Sequence, residues 1–333
     1  MATPRTVVRA VLLILASTLA LAGCSGDASP RANPPATVPL SASPEPPEEP
    51  RPTPSPDPAP DPEPEDPFPH RPLNVLLLGL DDRDPDALAG RPDTIILAHL
   101  PQDRQNAYLI SFTRDSWVHI PGYGHGKLNS ALPRGGLDTM HATLDELLGG
   151  LDLDATIQTN MHGFTDLVRW VGPFEVDNQY ASSVGDTDFP EGRITLDETT
   201  ALDYVRQRQG MPLGDLDRTE RGRAALVGML EQIQERLTEE PEAFPELIDM
   251  LSQHVDITGD VDLTDAIALG TALQDFDADS VVSLMAPVTG FGTEQGQSVN
   301  VVDQEQTAAL GEALRTDSMD EYVDTYGAQY APW

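Results

Sequence analysis

A single cysteine in 333 residues rules out an internal disulfide. Positive charge is scarce as well: 20 Lys and Arg stand against 55 Asp and Glu, for a net charge of −35. Such a balance excludes nucleic-acid binding through a broad basic face and a polybasic membrane patch. It also leaves a transcriptional regulator without the surface it needs. Neither His-Glu-x-x-His nor Gly-x-Ser-x-Gly occurs, which removes zinc peptidases and α/β-hydrolases. The seven histidines show no ligand spacing. In so acidic a chain, the few arginines and lysines carry information by where they stand.

What the chain does have begins with an export signal. Arg5 and Arg9 precede the apolar run Ala10–Leu21, which is too short to cross a bilayer comfortably. Leu21-Ala22-Gly23-Cys24 follows and resembles a bacterial lipobox. That resemblance implies a signal peptide over residues 1–23, cleavage before Cys24 and lipidation of the cysteine; the competing reading is an uncleaved anchor with an incidental thiol. Two or more acyl chains hold a protein firmly on a bilayer. The expected location is therefore extracytoplasmic, lipid-anchored to the outer face of the cytoplasmic membrane. Residues 24–71 read as a disordered tether of Pro, Glu, Asp, Ser and Ala with almost no large apolar side chain. The folded domain is expected over 72–317, with 318–333 as a C-terminal tail.

Within that domain, three strand-type apolar runs, Val75–Leu78, Thr94–Leu100 and Tyr108–Phe112, each end at polar residues. Periodicity then predicts a helix over Leu137–Gly149, a strand over Ala155–Asn160, a helix over Gly163–Val171 and a strand at Phe174–Val176. Helices follow over Thr195–Val205, from Asp217 to about Leu237, and over Phe244–His254, Leu263–Asp275 and Glu305–Leu314. Strands are expected at Ser280–Leu284 and Val299–Val302. The alternation, with no internal repeat, predicts an α/β fold: a single three-layer α/β/α domain around a central mixed sheet.

The charges at the run ends form the candidate site. Asp81 and Asp82 follow the first run, Arg91 and Asp93 precede the second, Arg114 and Asp115 follow the third, and Lys127 comes after a glycine-rich turn. Carboxylates from neighbouring strand ends, Asp81 and Asp93, suit a Mg²⁺ (or Mn²⁺) that keeps several waters and takes phosphate oxygens as ligands. Either Asp alone is equally well read as a helix cap. Arg114 beside Asp115 reads by default as a surface pair. Arg206, Arg208, Arg218, Arg221 and Arg223 fall within eighteen positions. They suggest an anion site, because planar guanidiniums suit bidentate phosphate contacts, and unpaired they would repel one another until an anion arrives.

Other features have plainer readings. Gly122–Lys127 superficially resembles a Walker loop, but it is one residue short between glycines and places Leu128 where Ser or Thr must reach the metal. Trp117, Tyr123 and Trp170 read as packing residues rather than a sugar platform. Leu144, Leu147, Leu148, Phe164, Leu167 and Val168 fit a lipid pocket or an ordinary core, with the core preferred because helical spacing does not separate the two.

Taken in order, NVLLLGLDDR, GRPDTIILAHL, SFTRDSWVHIPGYGHGKLNSA, GGLDTM, LDETTALDYVRQRQG and GDLDRTERGR resemble the LytR–CpsA–Psr family of bacterial cell-envelope proteins, over about Leu73 to Thr316. The resemblance implies a sheet flanked by helices with an isoprenoid buried between them. It implies a Mg²⁺-dependent phosphotransferase that moves a glycopolymer from a polyprenyl-pyrophosphate carrier onto peptidoglycan. Asp81 and Asp93 match the family's metal-associated carboxylates. Arg91, Arg114, Arg206, Arg208 and Arg218 match its pyrophosphate-binding arginines, and Lys127 and Asp215 match further polar positions. Asp81, Asp93 and Arg114 are the expected catalytic residues. Two features depart from the family: Gly222 stands where members often carry Gln, and a lipobox replaces the usual transmembrane helix. The alternative readings are a non-catalytic module that holds polyprenyl-linked precursors, and a polyprenyl-pyrophosphate hydrolase.

Overall fold

Alternate leucines set the central sheet. Strand β1 (Leu73–Leu80) turns Leu76, Leu78 and Leu80 to one face, where none is more than 2% exposed, and Leu77 and Gly79 to the other. It pairs antiparallel with β2 (Pro92–Leu100), which pairs antiparallel with β3 (Ala107–Ser111). The computed structural model describes residues 66–82, 90–261, 264–265, 268–269 and 280–328. Cys24, the signal segment, most of the tether and most of the expected helix Leu263–Asp275 lie outside the described residues. Among the described residues, no helix is long and apolar enough to cross a membrane.

After β3 the chain makes a hairpin, β4 (Trp117–Ile120) and β5 (Gly124–Lys127). The stretch that resembled a Walker loop is this hairpin's turn, with Gly122 and Gly124 at φ 79° and 71°. Helix α1 (Ala131–Leu148) starts earlier than expected but breaks its helical geometry at Gly135 and Gly136, so its regular part does begin near Leu137. Gly149, in the left-handed region, closes it. Strand β6 (Ala155–Asn160) runs parallel to β1 and passes directly into α2 (Met161–Val171), whose first amides at His162 and Gly163 donate to the Asn160 side chain at 3.0 Å.

Two small hairpin-like pairs follow: β7 (Phe174–Asn178) with β10 (Gly192–Leu196), and β8 (Ser182–Val184) with β9 (Thr187–Phe189). Here the sequence reading of one helix over Thr195–Val205 is corrected. Thr195 and Leu196 finish β10, laddered to Glu175 and Phe174. The Asp197 carboxylate then takes the Thr199 and Thr200 amides at 2.9 and 3.0 Å, so α3 begins only at Ala201 and ends at Arg206. Helix α4 (Asp215–Glu239) begins two residues earlier than expected, and α5 (Phe244–His254) has the expected bounds.

Strands β11 (Val255–Gly259) and β12 (Val281–Met285) complete a six-stranded mixed sheet in the order β11-β6-β1-β2-β3-β12. A hairpin of β13 (Val288–Glu294) and β14 (Gln297–Val302) leads to α6 (Gln304–Arg315). The tail expected from residue 318 is corrected too. Its first part is helix α7 (Met319–Tyr326), which buries Met319 and Tyr322 in the core formed with α1 and α6. Thus α1, α6 and α7 cover one sheet face, and α2, α4 and α5 the other: three layers, as expected.

Candidate active site

Antiparallel pairing brings the C-terminal ends of β1 and β3 to the same sheet edge as the N-terminal start of β2, and parallel β6 ends there too. That edge collects the charges. Asp93, the second residue of β2, holds Arg114 through one carboxylate oxygen and Arg218 through the other, the latter at 3.4 Å. Asp215, at the first position of α4, lies within ion-pair distance of three guanidiniums through Oδ1: Arg218 at 2.9 Å, Arg114 at 3.4 Å and Arg208 at 3.4 Å. Asp115 takes Lys127 at 2.8 Å and Arg208 at 3.9 Å. Asp81 faces Arg206 at 3.3 Å. Arg91 stands one residue before β2, exposed, its carbonyl accepting the Asp81 amide at 3.0 Å; its guanidinium makes no ion pair among the described residues.

All nine sequence-expected site residues other than Cys24 therefore gather at one edge. The structure changes how they are wired. Arg114 does not pair with its neighbour Asp115; it reaches across to Asp93 and Asp215. Asp115 belongs to the site instead, a role its position beside Arg114 concealed. Nor are Arg114, Arg206, Arg208 and Arg218 unpaired, since each meets a carboxylate, although Arg114 and Arg208 still repel Arg218. Arg221 and Arg223 leave the anion cluster altogether. Arg221 stacks over the Tyr204 ring at 4.4 Å and donates to Gln207, Asn178, Tyr180 and Ser182, which fixes the segment between Arg206 and Arg208. Arg223 is turned to the Leu284 carbonyl and Glu220, and burial lowers its pKa to about 10.

Burial and pairing act against each other in this web. Burial pushes the Arg218 pKa down despite Asp215 and Asp93. For Arg114, burial also pulls downward, but Asp93 first, then Asp215 and Asp115, outweigh it and the pKa rises. Several ion-pair distances are not aligned as hydrogen bonds. Nε of Arg114 and Nη2 of Arg218 are buried and face Asp215 Oδ1 at 3.4 and 2.9 Å without hydrogen-bond alignment among the described residues.

Beneath this charged rim lies a cavity of about 180 Å³ between the sheet and α2, α4 and α5. Leu77, Ile96 and Ile157 form its floor, and Phe164, Leu226 and Met250 part of its walls, while Asp81, Asp93, Arg206 and Arg218 stand at its polar end. The six candidate lipid-pocket residues divide accordingly. Phe164 and Leu167 line the cavity; Leu144, Leu147, Leu148 and Val168 pack into core. Tyr123, expected to pack, is 49% exposed, with its hydroxyl on the Arg134 carbonyl.

No cluster of three or more His, Cys, Asp or Glu able to hold a metal occurs among the described residues. The donor chemistry nevertheless fits Mg²⁺. That ion needs only one or two carboxylates when substrate phosphate and water supply its other ligands, and Asp81 and Asp93 open onto the same end of the cavity.

The LytR_cpsA_psr family model matches residues 57–316. The polyisoprenyl-teichoic acid–peptidoglycan teichoic acid transferase TagU of Oceanobacillus iheyensis is 37% identical over 166 residues, 48% of this chain and 51% of that protein. The chain thus spans about half the length of the curated relatives it matches. Among solved structures, Bacillus subtilis TagV superposes with a TM-score of 0.63 at 21% identity, covering 75% of this chain and 98% of that one. A structure of TagT bound to LI-WTA gives 0.58 at 25% identity, covering 75% and 91%.

Proposed function

The chain belongs to the LytR-CpsA-Psr family, and we propose that it transfers a glycopolymer from a polyprenyl-pyrophosphate carrier to peptidoglycan on the outer face of the cytoplasmic membrane, anchored through lipidated Cys24. The observation that carries this reading is the cavity: an apolar interior that ends in arginines and carboxylates is the complement of an amphiphile with an anionic head. The naming of the TagU relatives supports an isoprenoid-linked polymer as donor and peptidoglycan as acceptor.

In this mechanism the isoprenoid lies between the sheet and α2, α4 and α5, with its pyrophosphate at the ionic rim. A peptidoglycan sugar hydroxyl attacks the phosphorus that carries the polymer. The new P–O bond forms as the bond to polyprenyl phosphate breaks, and negative charge grows on the departing phosphate. Arg114 and Arg218, positioned at the rim by Asp93 and Asp215, stabilise that charge, assisted by Arg91, Lys127, Arg206 and Arg208. Asp81 or Asp93, or a substrate oxygen, takes the hydroxyl proton. Among the described residues Asp81 is the less engaged carboxylate, with one ion-pair partner against two for Asp93. Asp81 and Asp93 would also hold Mg²⁺ (or Mn²⁺), which when bound supplies neutralising charge to phosphate oxygens.

The test supplies purified protein with labelled lipid-linked polymer, Mg²⁺ and peptidoglycan. Label should move to the peptidoglycan. Release of free polymer without transfer makes the protein a hydrolase, and donor binding with neither outcome makes it a binding module.

A further inference from the structure

The cavity fixes the side from which an acceptor must come. Phosphoryl transfer sets the attacking and leaving oxygens roughly in line. In the proposed reaction the leaving polyprenyl phosphate keeps its chain in the cavity, on the α2, α4 and α5 face of the sheet. The attacking sugar hydroxyl therefore enters over the opposite face. On that side the β4–β5 hairpin starts at the rim, where Lys127 pairs with Asp115 at 2.8 Å, and it packs Val118, Ile120 and Leu128 into the core shared with α1. The ladder from Trp117 and Lys127 leads outward to a turn with Tyr123 at its tip, about 14 Å along the strand from Lys127 at ~3.4 Å per residue.

Tyr123 is a fixed ring on an open surface. Its amide donates to the Ile120 carbonyl at 2.9 Å and its hydroxyl to the Arg134 carbonyl at 2.7 Å, yet the residue remains 49% exposed. A Cβ on Gly122 or Gly124 would meet nothing within 4 Å, so the surface on either side of Tyr123 is clear. Gly135 lets α1 come close enough for the hydroxyl bond: a Cβ there would strike the Thr139 side chain and lie 3.1 Å from the Tyr123 hydroxyl. The exposed Arg134 side chain extends over Gly126, with Nη1 3.1 Å from where a Cβ would stand, and makes no ion pair among the described residues.

We infer that Tyr123 and Arg134 form the acceptor subsite, the ring stacking on a pyranose of the peptidoglycan strand and the guanidinium meeting a carboxylate of its stem peptides. This rests on the transferase reading. The C–H face of a pyranose suits the negative face of an aromatic ring. A strand stacked there runs along the hairpin towards the rim, and its hydroxyl arrives opposite the lipid.

The test uses full-length protein. Polymer transfer is measured against peptidoglycan concentration, beside equilibrium binding of a soluble peptidoglycan tetrasaccharide with stem peptides and of the lipid-linked donor. Tyr123→Ala and Tyr123→Leu should each raise the KM for peptidoglycan and the tetrasaccharide Kd roughly tenfold. Donor affinity and kcat should stay within about twofold. Tyr123→Phe keeps the face and loses only the tie, so it should stay within about threefold of wild type. Arg134→Gln should weaken the tetrasaccharide in a way that added salt erases. Rescue by Leu makes Tyr123 a packing residue and overturns the inference. So does a loss confined to donor affinity, which gives the ring to the donor's polymer. Active wild type with an unchanged KM in every variant overturns it too, and leaves the transferase reading intact. If wild type binds the tetrasaccharide through Tyr123 but transfers nothing, the transferase reading fails and the glycan subsite stands. If it neither binds nor transfers, both fall.

Discussion

Replacing Asp215 with Asn should destabilise the free protein and make it bind pyrophosphate more tightly. Asp215 Oδ1 lies 2.9–3.4 Å from Arg218, Arg114 and Arg208, and the Asp215 and Arg218 side chains are only 8% and 4% exposed. Asn preserves the shape and removes the charge. Breaking a buried pair by neutralising one partner costs about 3–5 kcal/mol. Arg218 keeps Asp93 at 3.4 Å and Arg208 is half-exposed, so a smaller cost than that range, about 2–3 kcal/mol, is expected here. At ~2–4 °C per kcal/mol for a domain of this size, Tm should fall by roughly 4–12 °C.

Anion binding then separates this account from a generic loss of packing. Inorganic pyrophosphate at a hundredfold excess over its dissociation constant should stabilise wild type by about 2.7 kcal/mol. In the variant the same guanidiniums have lost their competing carboxylate. If pyrophosphate binds tenfold tighter there, the same concentration adds about 1.4 kcal/mol more. About half the Tm gap should close as pyrophosphate is titrated in a scanning calorimeter. A variant that melts with wild type, or a gap that widens with pyrophosphate, refutes the wiring described for Asp215.

Arg114→Lys keeps the charge but loses the fork that spans Asp93 and Asp215, so the donor should still bind within a few-fold while kcat for polymer transfer falls far more; equal losses in binding and kcat would assign Arg114 to ground-state binding alone. Cys24→Ala should leave the precursor unprocessed or release the protein from membranes, and mass spectrometry of the wild-type mature N-terminus should find acylated Cys24; an unmodified thiol sinks the anchor. The pKa of His141, whose Nε2 lies 2.7 Å from Thr156 Oγ1, is held below the ordinary histidine value of about 6.5 by burial, with Asp138 pulling the other way. Its folded pKa being depressed, its contribution to stability is present above pH 6.5 and lost as pH falls below that, so His141→Gln should flatten the decline in Tm between about pH 7 and 5.5.

Much of this arrangement is legible in the sequence because it follows from short-range rules. Buried apolar runs of strand length with charges at their ends announce strands that deliver those charges to a sheet edge, and β1, β2 and β3 do so. Phe244–His254 is readable to the residue because its periodicity is strong and Pro245 sits at its N-terminus. Thr195–Val205 misleads because apolar and polar spacing there suits a helix, while the decision belongs to the cross-strand partners Phe174–Asn178. Helix α7 escapes notice because only burial against α1 and α6 stabilises so short an element. At the site, the arginine positions are visible but their partners are not. Which carboxylate each guanidinium meets depends on strand register and on the crossing of α4, and Arg114 finds its partners 21 residues before it and about a hundred after it.

The pairing explains how a chain of net charge −35 keeps a cationic pocket without losing its fold. Six cations, Arg91, Arg114, Lys127, Arg206, Arg208 and Arg218, share the rim with four carboxylates, Asp81, Asp93, Asp115 and Asp215, which leaves a surplus of two positive charges. The pyrophosphate diester of the proposed donor carries two negative charges and matches that surplus without requiring any carboxylate to leave, and Mg²⁺ held by Asp81 and Asp93 would add positive charge beyond it. The surplus also bears on product release. In the proposed transfer, once the polymer has departed, the carboxylates are still in place to take back the guanidiniums that the phosphate occupied, so the rim would return to its paired state as the lipid leaves. A pocket of bare arginines would hold the released polyprenyl phosphate more tightly, trading turnover for affinity. The carboxylates of this rim therefore do for release what the arginines do for binding.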